Sequence, residues 1–359
     1  MSAHEVLIAA MAVFAVLGAL DRIAGNRFGL GQEFENGILA MGSLALAMVG
    51  IISLAPVLAA LLKPVVVPVY QFLGADPAMF AGTILACDMG GGPLAQELTG
   101  DPEAALLGGV ITGSMLGATV VFTIPVAMGL IAQEDRPALA KGILCGIVTI
   151  PVGVLVGGLV AGFPVMKVLR NLIPIVIIGA LIALGLWKGE RGMIRGFGIF
   201  GKGVVAVITV GLAAAVVEAL TGFVVIPGMA PISEGFETVG TIAIVLAGAF
   251  PLVYFVTKLL KKPLMKLGGL LGVNETAAAG LVASLANSIA TFGMVKDMDY
   301  RGKVVNVAFA VSAAFVFGDH LGFTAGFAPE MLPAMILGKL AGGVSAVIVA
   351  MLLTRKSEL

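Results

Sequence analysis

Residues 86–93 read ACDMGGGP, set within MFAGTILACDMGGGPLAQ (79–96). Apart from Asp88 that stretch carries no charge, yet Gly90, Gly91, Gly92 and Pro93 follow closely. A carboxylate at bilayer depth is costly, so it needs a partner or a task. Glycine and proline break a helix there and free backbone groups to meet a ligand. The stretch reads as the tip of a re-entrant helical hairpin, with Asp88, Met89 and Gly90 at its turn. A plainer role for Asp88 is to cap a half-helix by accepting from the amides that follow it. The two roles are compatible.

The surrounding chain supports a bilayer setting. Of 359 residues, 59% are hydrophobic and 12% charged, about half the charged share of an ordinary soluble protein. Ala104–Gln133 and Gly142–Val165 carry no charge at all, and one crossing needs about 20 apolar residues. Fifty glycines suit close helix packing in lipid. The expected fold class is all-α and polytopic. Net charge is zero, which points to no nucleic-acid partner. Cys87 and Cys145 both lie in apolar segments without metal-ligand spacing, so neither a disulfide framework nor a metal is expected. The N-terminus lacks a basic n-region and reads as a first membrane segment.

Hydropathy places segments near 5–20, 37–62, 77–98, 104–130, 137–161, 171–187, 203–226, 238–257, 276–295, 303–327 and 331–353. Lys and Arg collect in cytoplasmic loops. Lys188, Arg191, Arg195 and Lys202 form one cluster; Lys258, Lys261, Lys262 and Lys266 a second; Lys296, Arg301 and Lys303 a third; Arg355 and Lys356 a fourth. The acidic stretches with Glu97, Asp101 and Glu103, and with Glu234 and Glu237, read as external. Residues 276–295 then lie between two cytoplasmic clusters and are expected to form a second hairpin, with Asn287 and Ser288 at its tip.

The halves also resemble each other. LGADPAMFAG (73–82) aligns with LGVNETAAAG (271–280) at an offset of 198, which also superposes Ser114 on Ser312 and Met89 on Asn287. The expectation is an inverted repeat of about nine crossings and two re-entrant hairpins. Residues 1–165 form the first repeat (hairpin near 77–98), 166–200 a connecting crossing and cytoplasmic loop, and 201–359 the second repeat (hairpin near 276–295), with a cytoplasmic C-terminus. Transporters of this design bind substrate where broken helices meet. The competing reading is eleven plain crossings.

The repeat also moves FGDHLGF (317–323) from a loop into a membrane segment, making Asp319 and His320 a candidate pair for a proton or an amine; a solvated external loop is the alternative. Glu218 is a third carboxylate in an apolar segment, near a helix end where snorkelling explains it equally well. Ser114 and Ser312 sit at expected helix contacts, where packing hydrogen bonds or a substrate path would use them.

FENGILAMGSLALAMVG (34–50), PAMFAGTILACDMGG (77–91), ITGSMLGATVVFTIPVAMG (111–129), GIVTIPVGVLVGG (146–158) and FGDHLGF together resemble the ethanolamine utilisation transport proteins, the EutH family. The resemblance runs to about residue 350 and implies facilitated uptake of ethanolamine across the bacterial inner membrane, without a cofactor. A small ammonium with one hydroxyl needs a carboxylate and a few neutral polar groups. Asp88 supplies the first; Asn287 and Ser288 are candidates for the second, with Asp319 or His320 assisting. Two alternatives remain: a proton- or sodium-coupled carrier of another small solute, and a membrane enzyme using Asp88 and Asp319 as a carboxylate pair. The second is disfavoured, because HExxH, GxSxG and phosphate-loop motifs are missing.

Overall fold

The computed structural model describes residues 2–354. Arg355 and Lys356, and the side chains of Arg191, Lys261, Lys262 and Lys266, lie outside the described residues, and with them the C-terminus and part of two basic clusters. Among the described residues the chain is all-helical, and eight helices are long and apolar enough to cross a membrane. They are α1 (Ala3–Ile23), α2 (Leu30–Phe72), α5 (Pro102–Leu130), α6 (Gln133–Val160), α7 (Val165–Gly189), α8 (Arg195–Thr221), α9 (Ile232–Leu271, apolar to Leu259) and α14 (Leu332–Leu353, entered from Pro329).

Two pairs of short helices interrupt this series. The first is α3 (Ala78–Ile84) with α4 (Gly91–Leu98); the second is α10 (Glu275–Ala286) with α11 (Ser288–Met294). At 1.5 Å per residue, α3 and α4 each reach about 10–12 Å, against a hydrocarbon core of about 30 Å. Eleven plain crossings are therefore not what forms. Both pairs are hairpins tied at the base. The Asp76 carboxylate accepts from the Ala78 amide at 2.8 Å and from the Thr99 hydroxyl at 2.9 Å, joining the start of one arm to the end of the other. In the second pair Asn274 plays the same part. Its backbone amide donates to Asp299 Oδ1 at 2.8 Å, its side-chain amide donates to the Asp297 carbonyl at 2.9 Å, and its Oδ1 caps α10.

The segment expected to cross at 303–327 is not one helix. It divides into α12 (Tyr300–Ala313) and α13 (Asp319–Phe327), with 314–318 as a turn between them. The break is fastened to the second hairpin. The Phe315 amide donates to the Ser284 carbonyl at 3.1 Å and the Phe317 amide to the Leu285 carbonyl at 2.8 Å, satisfying two carbonyls that the end of α10 leaves open. Phe315 sits at φ +62°, a left-handed conformation that a bulky side chain adopts only when its surroundings impose it.

Helix α2 packs along α9 and α8, and α1 against α2 and α9. The other group joins α12 and α14 to α6, and both arms of the first hairpin to α5. Small residues permit the close approaches. A Cβ on Gly338 would lie 3.0 Å from Gly157 Cα, and one on Gly342 would lie 3.4 Å from Gly153 Cα, so α6 and α14 touch backbone to backbone. Helix α5 is π-helical over Leu107–Gly117 and Thr119–Thr123, a rare winding that concentrates at functional sites.

At one end of α5, Asp101 is the N-cap, accepting from the amides of Glu103 (3.1 Å) and Ala104 (3.3 Å). Lys167 reaches across to it at 2.8 Å and to Glu103 at 2.6 Å. Burial raises the Asp101 carboxyl, but the Lys167 ammonium and the two amides outweigh it and hold it below its ordinary value. Its stabilising effect is complete above the usual carboxylate range and fades as pH falls through the lowered value. Asn is an equally good N-cap, so Asp101→Asn isolates the charge. The expected result is a lower thermal midpoint in detergent at pH 7 and convergence with wild type in acid; a constant gap at all pH values would remove the ion pair from the account. The groups are partly exposed, so the effect at pH 7 is at most about 1 kcal/mol.

Candidate functional site

The first hairpin turns where the sequence places its polar break. Leu85 and Ala86 are extended, Cys87–Met89 make one tight turn, and Gly90 takes φ +97° before α4 begins. Gly90 is required twice over: the positive φ disfavours any side chain, and a Cβ there would meet Ile51 of α2, 2.7 Å from its Cγ2. The tip is thus pressed against α2, and Asp88 projects beside it.

The break at 314–318 brings the second set of charged groups. Asp319 and His320 open α13, and His320 Nε2 lies 3.7 Å from Asp88 Oδ1, with side chains 4% and 15% exposed. That separation is charge proximity, not a hydrogen bond. The Phe315 ring packs against His320 at 5.3 Å between centroids, and Phe122 of α5 meets Phe315 edge-on at 5.4 Å. Asp88, Met89, Asp319, His320 and the two phenylalanines face a cavity of about 210 Å³, closed on another side by Ser43, Leu44 and Ala47 of α2. Allowing about 30 Å³ per water, it holds a small solute with a few waters. Asp319 also lines a neighbouring cavity of about 300 Å³, which contains Glu33, Tyr254 and Asn287.

The expected site residues divide accordingly. Asp88, Met89, Asp319 and His320 share one cavity, with Gly90 shaping the turn beneath it. Asn287 begins α11 with its carbonyl oxygen accepting from the Ile289 amide at 2.8 Å, and it faces the second cavity, across Asp319 from Asp88. Ser288 is fully buried and lines neither cavity. Ser312 is fully buried against Gly342, where a Cβ would lie 2.9 Å from its hydroxyl oxygen; that hydroxyl has no hydrogen-bond partner among the described residues and lines neither cavity. Glu218 lies in the last turn of α8, half-buried, and faces neither cavity. Asp319 and His320 are helical and inside the bundle; the external-loop alternative does not hold.

Sequence reasoning passed over Lys339. It lies in GKLAG (338–342) of α14, is 1% exposed, and donates to the backbone carbonyl of Ser114 on the π-helical part of α5. Ser114 therefore enters through its carbonyl, while its hydroxyl donates back to the Ile111 carbonyl at 3.0 Å. The Lys339 ammonium also acts electrostatically on Asp88 and Cys87. The available signal was a single cation in an otherwise uncharged 22-residue helix. A metal is a further chemical possibility for the donor set: Cys87, Asp88 and His320 each offer a ligand atom within 4.8 Å of the others. The Lys339 ammonium, acting on the same two residues, opposes a divalent cation there.

Eight apolar helices among the described residues, with two tied hairpins between them, define a multi-pass helical membrane protein with charged groups buried beside a cavity. The chain belongs to the EutH family: the model described as "Ethanolamine utilisation protein, EutH" matches residues 3–353. It is 63% identical over 356 residues to the probable ethanolamine permease EutH of Listeria monocytogenes, covering 99% of this chain and 95% of that one. Against the protein of the same name from Salmonella typhimurium, identity is 50% over 396 residues, covering 100% and 97%. A Bacillus subtilis relative, the uncharacterized protein YxeR, is 54% identical over 354 residues, covering 99% and 96%. No solved structure matches significantly.

Proposed function

We propose that the chain is a facilitator for ethanolamine in the bacterial inner membrane, binding the ammonium form between Asp88 and Asp319. The observation that carries this reading is the cavity itself, where two carboxylates from two separate helix breaks face a space sized for a small solute. The names of the Listeria and Salmonella relatives supply the substrate. Ethanolamine is protonated at neutral pH as a lysine amine is, and its short chain suits walls of Leu44, Ala47 and Phe122. A potential of 100 mV contributes about 2.3 kcal/mol per charge, or roughly fiftyfold accumulation, so uptake of the cation requires no coupled ion. The test is uptake of radiolabelled ethanolamine into proteoliposomes containing this protein alone. Unchanged solute that accumulates with an inside-negative potential supports the reading; no uptake, or a chemically altered product, ends it.

A second reading, proton coupling, is favoured by the approach of His320 to Asp88. It requires a pH gradient to drive accumulation at zero potential.

The order of elements supports the inverted repeat. Two long helices, a tied hairpin, a segment packed on that hairpin (continuous α5 in the first half, broken α12 and α13 in the second) and a further crossing occur in each half, with α7 between them. On this reading the hairpins re-enter from opposite faces, α2 begins inside, and the cavity with Glu33 and Asn287 is the route to the cytoplasm. Glu97, Glu234 and Lys296 are all exposed. Single cysteines placed at Glu97 and Glu234 in a background without Cys87 and Cys145 are expected to react with an impermeant thiol reagent from outside, and one at Lys296 only from inside. Labelling of all three from one face would refute the topology.

A further inference from the structure

The transport reading leaves one buried group without a task. No other Lys or Arg among the described residues is buried as Lys339 is, and its side chain is among the largest that are fully enclosed. It stands between two glycines, Gly338 and Gly342, where α14 lies directly on α6, and its ammonium reaches the Ser114 carbonyl. An apolar side chain would fill the same space without the cost of enclosing a charge. Packing therefore does not explain a lysine here, whereas the neighbouring charges do. Asp88 and Asp319 face one cavity, and the α5 turn that receives the ammonium lies against the residue before Asp88: a Cβ on Gly113 would lie 3.1 Å from the Cys87 nitrogen. The Lys339 charge also acts on Asp88.

We propose that Lys339 is a resident cation that holds the empty site at the charge needed for it to reorient, a role that rests on the transport reading above. Counting both carboxylates and the ammonium as ionised and His320 as neutral, Asp88, Asp319 and Lys339 sum to one negative charge, and one substrate ammonium brings the loaded site to zero. Without Lys339 the empty site carries two uncompensated carboxylates, and enclosing it away from water is strongly disfavoured. The loaded site of such a variant carries a single negative charge, the same as the empty wild-type site, and so still moves. Net uptake needs the empty form to return across the membrane; exchange of internal for external substrate does not.

The experiment compares net uptake with exchange of radiolabelled ethanolamine in proteoliposomes. Lys339→Met is expected to lose net uptake by at least about tenfold while exchange stays within about threefold of wild type. The double variant Asp319→Asn with Lys339→Met returns the empty site to one negative charge; losing Asp319 weakens binding in both assays alike, so with substrate raised to offset that loss its ratio of net uptake to exchange is expected to return toward the wild-type ratio. This also covers the case in which the single variant inserts poorly. Net uptake and exchange falling in parallel, neither falling, or an exchange-competent double variant that recovers no net uptake would each overturn the resident cation. Absence of uptake by wild-type protein overturns the transport reading and this proposal with it, so the two failures are told apart.

Discussion

Asp88→Asn is expected to reduce ethanolamine uptake by about a hundredfold or more while the protein remains monodisperse in detergent. A charge-assisted hydrogen bond contributes about 1.5–3 kcal/mol, and the lost charge removes attraction across a site with little water to screen it. The residual cavity keeps its shape, because Asn matches Asp in volume. Two features make the fold insensitive to the change. Asp88 makes no salt bridge shorter than its 3.7 Å approach to His320. Removing a buried charge also relieves its desolvation. Counted with Asp319 and Lys339 ionised, the variant site sums to zero and draws a cation less. Uptake close to wild type from a well-folded Asp88→Asn protein would remove Asp88 from substrate recognition. A compensating gain in KM with kcat unchanged would instead show that its contribution is to binding before and during translocation alike.

Gly82→Val is expected to cost much of the protein's stability. Gly82 lies in α3, on the face pressed against π-helical α5. A Cβ there would lie 2.8 Å from the Gly113 nitrogen and closer still to the Gly108 carbonyl oxygen. Both neighbours are backbone, so no rotamer change relieves the clash. Either α3 lifts off α5, which withdraws the Asp88 turn from its cavity, or α5 deforms. Overpacking of this kind costs about 1–3 kcal/mol for a methyl that neighbours accommodate, and more where they cannot move. Gly82→Ala is expected to lower the thermal midpoint clearly, and Gly82→Val to leave no monodisperse protein. Gly92→Ala makes an informative contrast. Its Cβ would lie 2.7 Å from Phe323 Cζ, the far end of a ring stacked on Phe327 at 4.8 Å. A ring can tilt, so this variant is expected to remain folded with a smaller loss. Equal destabilisation by both alanines would contradict the distinction between a backbone wall and a side-chain wall.

The hairpin at Asp88 was legible because its cause is local. Gly90 turns left-handed at φ +97°, and Pro93 lacks the amide that would bond back across the turn, so a helix can restart at Gly91 but not run through from α3. Asn287 was legible for a different reason: residues 276–295 lie between two basic clusters, and the alignment of the halves agrees, since Asp76 and Asn274 hold corresponding places at the two hairpin bases. The turn at 314–318 was not legible. AAFVFG contains nothing before Gly318 that prevents a helix, and the backbone leaves it only because Phe315 and Phe317 donate to carbonyls of Ser284 and Leu285. Partners of that kind belong to a different element and leave no mark on local hydropathy. Assigning Asn287 and Asp88 to one pocket failed similarly, since correspondence within a repeat does not give distance across a bundle.

Composition and apolar run length were enough to establish a helical membrane protein; the local break at ACDMGGGP and the basic clusters around 276–295 marked its two hairpins, and strings such as ITGSMLGATVVFTIPVAMG carried the family resemblance. Which charges share a cavity depended on the packed molecule. Lys339 meets the Ser114 carbonyl across 225 residues of sequence, and His320 nears Asp88 only because an otherwise helical segment is pulled open by a neighbouring hairpin. Buried electrostatics follow distances in space, and those are set only when glycine-lined helices close on one another.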